Sequence, residues 1–119
     1  MKYMVLIAGP EDRGPDADSE RAAAYQRILG WWEQQSSSGK VLEGYELQPS
    51  ETATTVRRDA IGNVTVTDGP FMEAKEVVGG YAIIDVADLD EAIQLVAGWP
   101  APGTLEIRPV VRSEDRPPA

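Results

Sequence analysis

Between Val66 and Tyr81 the chain reads VTDGPFMEAKEVVGGY, and four ionisable side chains, Asp68, Glu73, Lys75 and Glu76, crowd into one connection. Asp-Gly-Pro before them and Gly79-Gly80 after them supply backbone freedom on both sides. Asp68 ends an alternating, strand-like run and offers the most direct chemistry: a carboxylate that accepts a proton or holds a polar ligand group. An isolated aspartate titrates near a pKa of about 3.9, so it is a weak base at neutral pH unless burial raises it. Lys75 would neutralise Asp68 or hold an anionic substrate group, with Glu73 orienting the lysine. A neighbouring ammonium stabilises the ionised acid, so binding is easier to defend here than proton transfer. The competing reading is a turn: Asp68 bonds its own backbone two residues on, Gly69-Pro70 makes the bend, and Phe71 anchors the loop while Glu73, Lys75 and Glu76 face water.

A second constellation lies in the run TLEIRPVV, where Glu106 and Arg108 alternate with Leu105 and Ile107. Either they form an exposed pair on one strand face, or Arg108 clamps a carboxylate or phosphate with its planar fork. Tyr81 and Tyr3 sit on apolar strands, as core, interface or ligand platform. Together these residues outline a pocket for a small polar or anionic ligand, with Asp68 as the candidate acid or base and Lys75, Glu73, Arg108, Glu106, Tyr81 and Tyr3 as candidate ligand contacts. Gly79-Gly80 lacks the lysine-serine and helix start of a phosphate loop, and reads as a bulge or a close approach of two strands.

Composition removes many alternatives. The chain contains neither cysteine nor histidine, which excludes disulfides, thiolate chemistry and histidine-based catalysis, and leaves no metal or cofactor to propose. A formal charge of −9 repels nucleic acid and anionic lipid. The opening MKYMVLIAGP is too short to span a membrane and lacks a signal-peptide pattern, so the expected location is the cytoplasm. At 119 residues, the chain fits one domain with a single core.

The elements that must position these groups follow from periodicity. KYMVLIA is a continuous apolar run with the length of a strand buried on both faces. RAAAYQRILGWWEQQSSSG places Ala22, Tyr25, Ile28 or Leu29, and Trp32 at helical spacing, with Gly39 as the stop. That stripe predicts Trp32 in the core and Trp31 toward a partner or solvent, and close packing against another backbone accounts for Gly30. KVLEGYELQP reads as a strand with a bulge at Gly44. TATTVRRD and NVTVTD form a hairpin around Ala60-Ile61-Gly62, with one face buried. EVVGGYAIIDV is the most apolar strand. Asp88 and Glu91 have capping-box spacing ahead of a helix ended by Gly98 and Pro100. TLEIRPVV is the last strand, residues 1–112 form the domain, and residues 113–119 are expected to fray.

The order β, α, β, hairpin, β, α, β predicts an α+β, ferredoxin-like open-faced sandwich, with both helices on one face of the sheet. Its central strands are apolar on both sides, so the other face needs a cover. A second copy related by a two-fold axis is the simplest, giving a homodimer with its sites between sheet and partner.

Eight short blocks in order carry a family resemblance: MKYMVLI, Leu47–Pro49, ATTVR from Ala53, VTDGPF from Val66, Glu73–Glu76, Gly79–Tyr81, DVADLDEA from Asp85 and EIRPV from Glu106. Together they resemble the YCII-related, or DGPF-domain, family over nearly the whole chain. The resemblance implies a dimeric α/β barrel built on a ferredoxin-like unit. It implies no single activity. Many members of the DGPF branch occur beside extracytoplasmic-function sigma factors, whereas another branch carries a histidine–aspartate pair. Asp68 matches the motif aspartate, but this chain has no histidine to pair with it. The functional expectations are a small-molecule-binding or regulatory module with an intersubunit pocket, an enzyme using Asp68 without histidine, and an interaction partner in a sigma-factor-linked circuit.

Overall fold

The computed structural model describes residues 1–10, 18–70 and 76–118. Six strands and two helices alternate along them: β1 (Lys2–Pro10), α1 (Asp18–Ser37), β2 (Val41–Glu46), β3 (Thr54–Arg58), β4 (Val64–Asp68), β5 (Glu76–Asp85), α2 (Leu89–Ala97) and β6 (Thr104–Pro109). Four strands form one antiparallel sheet in the order β2-β5-β1-β6, and β3 and β4 pair as a separate two-stranded sheet. The protein is therefore α+β, with β1 and β5 at the centre of the larger sheet.

Strand alternation decides what each face of that sheet does. On β1, Tyr3, Val5 and Ile7 are buried, and so are Gly80, Ala82 and Ile84 on β5. They join Trp31 of α1 and Ala92, Leu95 and Val96 of α2 in one core, with Leu105 and Ile107 of β6 packed against it. Both helices thus cover the same face. Full burial of a side chain such as Ile84 or Val5 contributes about 1.5–3 kcal/mol. The other face carries Met4 and Leu6 opposite Ile83 and Tyr81, and these four are half-buried.

Local chemistry fixes the ends of the elements. The Asp88 carboxylate accepts from the Glu91 amide at 2.9 Å, and Glu91 reaches back to the Ala87 amide at 3.3 Å. That reciprocal arrangement starts α2 where the spacing of the two acids predicted it. Gly39, at φ +81°, follows the end of α1, a backbone geometry that a side chain would strain. Gly44 answers a different demand. A Cβ there would collide with the Trp32 ring and lie 2.8 Å from the Tyr81 carbonyl, so the strand can pass beneath the indole only without a side chain. The β2–β5 register shifts between Val41 and Glu43, just before this glycine.

Three findings differ from the sequence expectations. Trp31, not Trp32, is the buried member of the pair, because Trp31 turns toward the core and Trp99 while Trp32 is only half-buried. Gly30 has open space around its Cβ position, so close packing does not explain it. The β3–β4 hairpin buries neither face: Val56, Val64 and Val66 are all more than half exposed. Beyond β6, Ser113–Asp115 form a 3-10 turn, and Arg112 just before it is paired with Glu114 and Asp115.

Candidate functional site

A cleft of about 840 Å³ opens between the first half of α1 and the end of the sheet where β1 finishes and β5 begins. Its helical wall is Ala22, Ala24, Tyr25, Ile28 and Trp32. The run Ala22-Ala23-Ala24 explains why there is room: alanine favours helix as strongly as any residue but brings no bulk with which to reach the sheet. The floor includes Ile7 to Pro10 and Val77 to Gly80. Here the β1–β5 register jumps from Ile7 opposite Gly80 to Ala8 opposite Val78, leaving Gly79 bulged. The freed Gly79 carbonyl accepts from the Leu47 amide at 2.8 Å, drawing the Leu47–Pro49 segment alongside as the third wall. Trp99 and the Ala101-Pro102 turn complete the lining.

Chemically the cleft is apolar with one charged pole. Among the described residues that line it, Glu46 is the only charged one. The Tyr25 hydroxyl donates to Glu46 Oε2 at 2.7 Å, joining helix and edge strand across the opening. The Tyr25 phenol is held above its ordinary pKa, first by that hydrogen bond, then by the neighbouring negative charge and a little desolvation. The aromatic side is the trio Trp31, Trp32 and Trp99, in which every pair meets edge to face at 84° with centroids 5.1–6.0 Å apart. Trp32 and Trp99 face the cleft, and Trp31 backs them from the core.

The described residues singled out from sequence lie elsewhere. Asp68 is exposed at the end of β4, opposite Thr54 in the small sheet. Glu106 and Arg108 stand opposite Leu6 and Met4, on the face away from the helices, and pair with each other at 3.5 Å. Both are mostly exposed, and an ion pair so placed contributes little to stability. Tyr81 lies half-buried on that same face, its ring centroid 6.1 Å from that of Tyr45. Tyr3 does not join them, which corrects its grouping with Tyr81. Strand alternation turns it to the helix-covered side, where it is 3% exposed and its hydroxyl meets the Met1 sulfur. Glu73 and Lys75 lie outside the described residues. The structure thus brings Tyr81, Glu106 and Arg108 to one sheet face, away from Tyr3 and from the cleft.

Sequence reasoning passed over Tyr25 and Glu46 as a pair, and Trp99 altogether. The stripe Ala22, Tyr25, Ile28 and Trp32 was visible as a periodicity, but it lines a cleft rather than the core. Glu46 gave no signal, since a carboxylate on an edge strand ordinarily marks solvent. Among the described residues there is no group of three or more acidic side chains placed to hold a metal, and no helix is long and apolar enough to cross a membrane.

A family model described as the YCII-related domain matches residues 1–114. The chain belongs to the YCII-related domain family. A curated relative, an uncharacterised protein of Rhizobium meliloti (strain 1021), is 39% identical over 77 residues, which span 61% of this chain and 61% of the relative. Among solved structures, the chain is similar to 5-chloro-2-hydroxyhydroquinone dehydrochlorinase from Burkholderia phenoliruptrix, solved in complex with 2,5-dihydroxybenzoquinone. That likeness has a TM-score of 0.42 and 18% identity, covering 89% of this chain and 91% of that one.

Proposed function

We propose that this YCII-related protein is a homodimeric small-molecule-binding module whose ligand enters the cleft between α1 and the sheet. The cleft itself carries the reading. Its volume falls in the range that accommodates metabolite-sized ligands, roughly 300–1,000 Å³, and its lining joins apolar walls to a few polar groups at one end. A dimer accounts for the remaining surface. The chain exposes 8877 Å², against about 6,300 Å² for a compact monomer of this mass, and the excess is of the order that a subunit buries in a large interface. The face bearing Met4, Leu6, Tyr81 and Ile83 is the apolar surface that a second copy would cover, in a ferredoxin-like unit paired through its sheet as a dimeric barrel. Arg108 and Glu106 would then flank that interface.

The test is a thermal-shift survey of metabolites on the full chain, with light scattering at micromolar concentration. At least one compound raises the melting temperature, and Ala24→Phe, which fills the cleft from α1, abolishes the shift while leaving the protein folded. A shift that survives Ala24→Phe, or a survey without any hit on an intact dimer, rejects the cleft as the site.

A further inference from the structure

We infer that the ligand is an organic cation: a protonated amine on an apolar, roughly aromatic-sized body, with the ammonium at Glu46 and the body against Trp32 and Trp99. The inference rests on the binding reading above and adds the chemical class of the ligand. Three observations carry it. Glu46 is the single charge among the described residues that line the cleft, so an anionic ligand meets repulsion at that end. Tyr25 satisfies only part of the Glu46 carboxylate, because its hydroxyl bonds Oε2 and a carboxylate accepts several donors. An ammonium brings three. Trp32 and Trp99, perpendicular with centroids 6.0 Å apart, form an aromatic corner in the same lining, and an indole ring attracts cations through its quadrupole. The net charge of −9 favours the approach of a cation at long range.

Three probes of one shape separate the possibilities: 2-phenylethylamine, 2-phenylethanol and phenylacetate, titrated by calorimetry into the full chain. The amine binds at least about tenfold more tightly than the alcohol, as one charge-assisted contact provides, and phenylacetate binds most weakly. Glu46→Gln removes the preference for the amine, bringing its affinity down to that of the alcohol. Because Glu46 is exposed, this variant is expected to fold, and its melting curve verifies that. If the alcohol or phenylacetate matches the amine, or if Glu46→Gln preserves the preference, the cation assignment fails and the cleft stands as a binding site. If the three probes fail while other compounds of the survey bind, the outcome is the same. If nothing binds at all, the small-molecule reading falls with it.

Discussion

Asp59 holds the turn of the hairpin through one oxygen. Its Oδ1 accepts from the amides of Ile61 at 3.0 Å and Asn63 at 2.9 Å, an Asx-type arrangement that substitutes for missing backbone partners. These bonds, chiefly that from Asn63, hold the carboxyl below its ordinary pKa, with desolvation working in the opposite direction. A depressed folded-state pKa gives stability that is present above the unfolded value and is lost as pH falls through the folded one. Amide exchange at residues 61–63, corrected for intrinsic rates, should therefore quicken below the usual carboxylate range. Asp59→Ala should make it fast at every pH. Tyr25 has the opposite sign. Its raised pKa means that the bond to Glu46 persists below the ordinary tyrosine value and is lost as pH climbs through the folded one. Ultraviolet titration should find Tyr25 ionising late, and Glu46→Gln should lower its pKa.

Two glycines make opposite predictions at the scale of elements. Gly30 lies within α1 with nothing near its Cβ position, so Gly30→Ala should stabilise the protein by about 0.5–1 kcal/mol through lower unfolded-state entropy. Gly44 lies beneath Trp32, and Gly44→Ala should cost about 2–3 kcal/mol by overpacking. Chemical denaturation of both variants separates them. These glycines also show what was legible in the sequence. The α2 cap, the ends of the helices, the hairpin pairing and the apolar central strands were all readable, because each depends on near neighbours or on a strict period. Close approach is expected at Gly30 but occurs at Gly44, which reads in sequence as a bulge, since that property belongs to the partner across the gap. The same limit reversed Trp31 and Trp32: adjacent indoles point about 100° apart on a helix, and only tertiary packing selects which one faces inward. The candidate site was the least legible part. It is built where α1 fails to touch the sheet, and a gap has no sequence period of its own.

At the scale of the whole molecule the chain is a slab. Its principal extents are 50 × 40 × 19 Å and its radius of gyration is 17.0 Å, against about 13–14 Å for a compact domain of this length. The β3–β4 arm, exposed on both faces, contributes to that spread. If a second copy covers the Met4–Leu6 face, Leu6→Glu should turn the dimer into a monomer in light scattering and lower the melting temperature. An unchanged mass for that variant would place the interface elsewhere. The contact of all three tryptophans has a consequence for spectroscopy. Indoles this close should share excitation, so emission is expected to report the interior, through Trp31, and the cleft lining, through Trp32 and Trp99, together. Quenching by a bound molecule and loss of the core would then appear in the same band, and emission alone will not separate occupancy from unfolding.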